Sequence, residues 1–158
     1  MSEPFDPHKV PVMPLLVVDS IEKALDYYTN VLGFEKTLTM PGEDGKTLVH
    51  GEFKVGPSTI MLGRRDRVTT DYDREHARDP LGHGIVLYAY VPNVDEFHRK
   101  IKANGARILE DPKDQYWGDR TMTLLDPHGY MWSIAQHIFD FDPSKAPQRE
   151  QPAIVATA

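Results

Sequence analysis

The same short grammar of residue types occurs twice in this chain, and a repeat of that kind restricts the possible architectures more tightly than composition does. Val12 to Val18 reads as a short apolar strand running into Asp19-Ser20-Ile21-Glu22, where Asp19 can cap a helix and Glu22 can complete a capping box. Apolar residues then fall at Ile21, Ala24, Leu25, Tyr28 and Leu32, a helical period, before Gly33 supplies a left-handed stop. The pattern returns as the apolar strand Ile85 to Val91, the cap and box Asn93-Val94-Asp95-Glu96, the apolar positions Val94, Phe97 and Ile101, and the stop Asn104-Gly105. Asp19 and Asn93 lie 74 residues apart, and Gly33 and Gly105 lie 72 apart. Two related modules are therefore expected, each opening strand-helix.

Each predicted helix is followed by strand-like runs separated by turn residues. In the first module these are Phe34 to Met40, Thr47 to Val55 and Thr59 to Leu62, with turns at Pro41-Gly42-Glu43-Asp44-Gly45 and Gly56-Pro57. The second has Ala106 to Leu109, an irregular stretch from Glu110 to Gly118, then Arg120 to Leu125, the turn Asp126-Pro127-His128-Gly129, and Tyr130 to His137. The expected division is a module over 10–63, a polar linker over 64–83, a second module over 84–140, and an extended or disordered proline-rich tail over 141–158 in which Phe139 and Phe141 just before and at its start can dock. The linker holds five arginines and five acids with little apolar periodicity, the mark of a solvated segment.

Composition enters as a set of exclusions. The 158 residues include no cysteine, which removes disulfides, thiolate zinc sites, iron–sulfur clusters and a cysteine nucleophile, but not a site built from His and carboxylates. A net charge of −6 without a basic block argues against a nucleic-acid partner. No run is long and apolar enough for a membrane helix, and the opening MSEPFDPHKV has no apolar signal core, so no membrane partner and a cytoplasmic location are expected. No G-x-S-x-G, Walker loop or G-x-G-x-x-G is present, and nucleophilic and nucleotide chemistry lack support.

The tandem strand-helix-strand-strand-strand modules, together with the segments DSIEKALDYYTNVLGFE and DQYWGDRTMTLLDPHGYMWSIAQH and the NGA after the second helix, resemble the vicinal oxygen chelate superfamily. The likeness covers residues 10 to 140 and is nearest the glyoxalase/bleomycin-resistance-like, PhnB-like branch, with its WGDR and DP-x-G-x-x-W. It implies an α+β fold in which two tandem βαβββ modules form a curved mixed sheet around a cleft, and a homodimer. Scaffold does not fix function, because this one carries isomerases, oxygenases, lyases and binding proteins.

Metal-dependent members of the superfamily take one His, Gln or Glu ligand from the first and last strand of each module. Matched through the helix caps and stops, those positions fall on Val12, Met61, Val86 and Ser133, and no His, Asp, Glu or Gln occurs within two residues of any of them. No metal and no cofactor are expected. Strand alternation from the same positions places Val12, Leu16, Met61, Val86, Tyr88, Tyr90, Met131 and Ser133 on the concave face, with Leu15, Val17, Leu87, Trp132 and Ile134 turned to the helices. Tyr88, Tyr90, Met61, Met131 and Ser133 describe an adaptable, largely apolar wall suited to a flat organic molecule. Tyr116, Trp117 and Arg120 can form its lip, with Trp117 stacking on a ligand and Arg120 pairing with an anionic group; a purely structural role for this segment has equal weight.

The reading that follows is a metal-free protein binding a hydrophobic or aromatic compound. The alternative is a lyase, isomerase or dioxygenase of the same superfamily, either cofactor-independent, with His50, Glu52 or Tyr88 as the acid–base group, or using a divalent metal at an unrecognised site.

Overall fold

Residues 12–67 and 70–145 are described by a computed structural model, in which the sequence repeat becomes a repeat of topology. The first half forms β1 (Leu15–Val18), α1 (Ile21–Asp26), β2 (Glu35–Pro41), β3 (Leu48–Val55) and β4 (Ser58–Arg64). The second forms β5 (Val86–Tyr90), α3 (Val94–Ala103), β6 (Arg107–Asp114), β7 (Asp119–Leu125) and β8 (Met131–His137), with α2 (Asp71–Glu75) between the halves. Each half gives a four-stranded mixed sheet, ordered β1-β4-β3-β2 and β5-β8-β7-β6. In each, the first strand lies parallel to the last and the other pairs are antiparallel.

Several local expectations are corrected. Ser20, not Asp19, caps α1: its backbone is extended and its hydroxyl accepts from the Lys23 N–H at 3.2 Å. Asp19 pairs instead with Arg65 at 3.1 Å, and Glu22 accepts from the Leu48 N–H at 2.6 Å, tying the helix to β3. After six residues α1 widens into a π-type turn over Tyr27–Val31, and Gly33 ends it at φ 77°. The second helix follows expectation, with Asn93 accepting from the Glu96 N–H at 3.0 Å. Of the stretch expected to be irregular, Glu110 to Asp114 belongs to β6, whose pairing with β7 shifts register on either side of Glu110, and only residues 115–118 form a turn. The linker is not wholly irregular either, since Thr70 and Asp73 form a capping box that starts α2. The end of the expected tail, and residues before Val12, lie outside the described residues.

Trp132 explains how the halves assemble. It lies on the face of the second sheet that bears α3, and its ring sits 5.7 Å from Tyr28, 5.6 Å from Phe34 and 6.4 Å from Phe53, all in the first half. Phe53 in turn stacks on Tyr28 at 4.4 Å on the α1-bearing face of the first sheet, where α1 packs so closely that a Cβ at Gly51 would press on Ile21 and Leu25. The halves thus pack through their helix-bearing faces into one core. Asp126 crosses the same boundary, accepting from Tyr28 Oη at 2.7 Å and Trp132 Nε1 at 2.9 Å, and Tyr130 donates to the Val17 carbonyl at 2.7 Å. The α+β fold of two tandem βαβββ modules is the one expected, and two sheets that meet by these faces leave their opposite faces open.

Candidate functional site

Register places the side chains of the open face of the second sheet. Val86 pairs with Met131, Tyr88 with Ser133 and Tyr90 with Ala135, while the intervening Leu87, Trp132 and Ile134 are buried in the core. This is the alternation expected from the sequence. In β1 the expectation fails by one residue: Leu16 and Val18 are buried, and Leu15, paired with Met61, faces the open side. Pro14 is the reason. Its carbonyl already accepts from the Met61 N–H at 2.9 Å, so the strand is entered from a prolyl residue and Val12 lies outside it, largely exposed. The open face of the first sheet also carries His50 and Glu52, whose Nε2 and Oε1 are 3.0 Å apart.

Small side chains decide what the tyrosines can reach. On β8, Ser133 and Ala135 present little bulk, so the rings of Tyr88 and Tyr90 extend across that strand to Asp119 at the start of β7. Asp119 Oδ2 accepts from Tyr88 Oη at 2.6 Å and from Tyr90 Oη at 2.9 Å. Its Oδ1 lies 3.2 Å from Nδ1 of His137, the residue opposite it in the β7–β8 ladder, and His137 Nε2 lies 3.1 Å from Asp140. Trp117 Nε1 donates to Tyr88 Oη at 3.2 Å. The result is a connected polar corner on an otherwise apolar face.

The electrostatics of the corner follow from its hydrogen bonds. Burial opposes ionisation of Asp119, but donation from Tyr88, Tyr90 and His137 outweighs it and holds the carboxyl below its usual range. Burial and the bond to Asp119 push Tyr88 up to about 12. The bonds to Asp119 and Asp140 raise His137. Near neutral pH the corner therefore comprises a carboxylate, two neutral phenols and an imidazole biased toward its cation.

Beside it lies a cavity of about 470 Å³ along the free edge of β5, lined there by Leu87, Tyr88, Ala89 and Tyr90. Its other wall is Val12, Pro14, the end of the β3–β4 hairpin and Ser58 to Ile60, with Trp132 at its base. Among the described residues no charged side chain lines it. Met61, Met131 and Ser133 sit on the open faces nearby, outside this wall.

Arg120 is not at the lip. Strand alternation turns it away from Asp119, and its three guanidinium nitrogens donate to Asp95, at 2.9 and 3.0 Å, and to Asp114, at 2.8 Å. Two carboxylates already hold the group that was expected to pair with an anion. Tyr116 packs edge-on against Trp117 and Phe141, so of the three residues expected at the lip it is Trp117 that bonds to the tyrosine corner. Asp119 and His137 were missed as site residues. Each ends a strand, and what joins them is the β7–β8 register, which no local pattern encodes.

A profile of the Glyoxalase/Bleomycin resistance protein/Dioxygenase superfamily matches residues 10–134. The chain belongs to this superfamily. An uncharacterised protein of Mycobacterium bovis is 31% identical over 134 residues, covering 79% of this chain and 82% of that protein. Among solved structures, TioX from Micromonospora sp. ML1 superposes with a TM-score of 0.63 at 25% identity, covering 80% of this chain and 99% of that one. The fosfomycin resistance protein FosX from Listeria monocytogenes shares the fold alone, with a TM-score of 0.56 at 13% identity, covering 88% and 97%.

Within this glyoxalase-superfamily chain, the open-face positions on β1, β4, β5 and β8 that would hold a divalent ion carry Leu15, Met61, Val86 or Tyr88, and Met131 or Ser133. Hydrocarbon, thioether and neutral hydroxyl groups are a poor donor set for such an ion, which needs several imidazole or carboxylate donors converging on it. Among the described residues no helix is long and apolar enough to cross a membrane.

Proposed function

We propose that this superfamily member binds a small, flat, hydrophobic or aromatic molecule without a metal, and does so as a homodimer. The carrying observation is the cavity of about 470 Å³ on the free edge of β5, a volume suited to a drug-sized ligand, with two tyrosine rings and, among the described residues, no charged side chain in its wall. The donor-poor metal positions support a binding role over metal-assisted chemistry. Exposed Leu15, Met40, Val86, Tyr88 and Tyr90 support the dimer, since open faces this apolar call for cover. A second copy laying its first sheet over this second sheet would cover both open faces and complete the cleft.

Thermal-shift titration with a panel of aromatic compounds tests the reading. A saturable rise in Tm that EDTA leaves unchanged is expected, with no compound consumed. Turnover, or binding that a chelator abolishes, would overturn it. Light scattering is expected to give twice the chain mass; a monomer at tens of micromolar would remove the dimer from the proposal. One observation favours the acid–base alternative: His50 and Glu52 are hydrogen-bonded on an open face, each about a quarter exposed, 25% and 21%. It gains the field if a compound is consumed and His50→Ala stops the reaction.

A further inference from the structure

Resting on the small-molecule reading, the geometry points to a chemical class of ligand: an apolar or aromatic body carrying a nitrogen donor, preferably a cationic amine, with carboxylates and phosphates rejected. The reasoning begins with protons. A phenol has one O–H to give, and both Tyr88 and Tyr90 give theirs to the same oxygen of Asp119. Nothing donatable is left on either hydroxyl. Tyr88 also receives the Trp117 indole N–H, so one lone pair remains free there, and both remain on Tyr90. The two phenol oxygens therefore offer acceptors only, and a donor is what completes them, while the Ser58 and Thr59 hydroxyls on the opposite wall can serve either way.

Charge acts in the same direction. The carboxylate of Asp119 lies directly behind the two phenol oxygens, and the rings themselves, 5.6 Å apart and edge to face, attract cations to their faces. Among the described residues, the two positive groups nearest the corner are already engaged. Arg120 faces the other side of the sheet between Asp95 and Asp114, and His137 lies between Asp119 and Asp140. Among the described residues no lysine or arginine lines the cavity. Proton transfer does not reverse this arrangement, because Asp119 is the stronger acid of the pair: burial and the bond to Asp119 raise Tyr88, while that same bond, with those from Tyr90 and His137, lowers the carboxyl.

Calorimetric titration of the full chain with three naphthalene probes of matched size tests the inference: 2-naphthylmethylamine, 2-methoxynaphthalene and 2-naphthoate. The amine is expected to bind about tenfold more tightly than the methoxy compound, and the carboxylate more weakly than either. Tyr90→Phe keeps the ring and removes the unshared acceptor. It is expected to cost the amine roughly fivefold while the methoxy compound changes by less than about twofold. Equal affinity for all three probes, a carboxylate that binds as tightly as the amine, or a Tyr90→Phe effect shared by all three would overturn the inference and leave the binding reading standing. Failure of all three probes to bind would overturn both.

Discussion

Two buried aspartates show how the same side chain serves different ends. Asp126 accepts four hydrogen bonds from inside the molecule: Tyr28 Oη at 2.7 Å, Trp132 Nε1 at 2.9 Å, and the N–H groups of His128 at 2.9 Å and Tyr130 at 3.0 Å. It joins the halves, and its removal strands a phenol and an indole N–H in the core. Asp126→Ala is expected to cost about 3 kcal/mol, measured as a lower urea midpoint at unchanged slope. Asp119 accepts from the open side and orients groups that face the cleft. Its neighbour His137 is raised by Asp119 and Asp140, so the folded state favours the imidazolium; that contribution to stability is full below the ordinary histidine range and is lost as pH rises through the raised value. His128 is lowered by burial against the opposing pull of Asp126, so its contribution is present above the ordinary range and is lost as pH falls through the lowered value. Ring-proton NMR titration is expected to place the His137 midpoint above that of a free histidine and the His128 midpoint below it. Asp119→Asn should bring His137 down. A His137 midpoint unmoved by that change would show that Asp119 is not its controlling partner.

Element boundaries depend on a few backbone positions. Gly118 sits at φ 98°, and a Cβ there would run into the Phe139 carbonyl, because the chain after β8 folds back to place the Ile138 and Phe139 N–H groups on the Gly118 oxygen at 2.9 and 3.1 Å. Left-handed backbone and a collision both oppose any side chain. Gly118→Ala is expected to destabilise by about 2 kcal/mol and to open the segment around Phe139 and Phe141 to limited proteolysis; unchanged cleavage there would mean the close approach is not needed. Strand alternation was readable in β5 and β8 because neither is bulged and their inward residues Leu87, Trp132 and Ile134 are large and apolar. It slipped in β1 at Pro14 and was hidden in β6 by two register shifts. A one-residue slip exchanges the two faces of a strand, which is how Leu15 and Leu16 changed places.

At the scale of the molecule, one core is built from both halves, and Trp132 with Tyr28, Phe34 and Phe53 forms its centre. Neither half buries these rings alone. A single cooperative unfolding transition is therefore expected, the same by tryptophan fluorescence and far-ultraviolet circular dichroism, and residues 84–140 expressed by themselves should show none. Two separated transitions would mean that the halves are independent domains. Trp132→Ala is expected to cost on the order of 3–5 kcal/mol by opening the boundary between them. The doubled strand-helix opening, the caps and stops within a residue, and the absence of metal-ligating side chains near four positions were all decided by local sequence, because propensity, capping and side-chain chemistry act over a few residues. The back-to-back packing of the sheets, the engagement of Arg120 by two carboxylates, and the corner that joins Tyr88, Tyr90, Asp119 and His137 were decided only by tertiary structure. Those residues meet through strand pairing across 29, 31 and 18 positions of chain, and contact at that separation is set by register and packing, to which the residues near each one in sequence are indifferent.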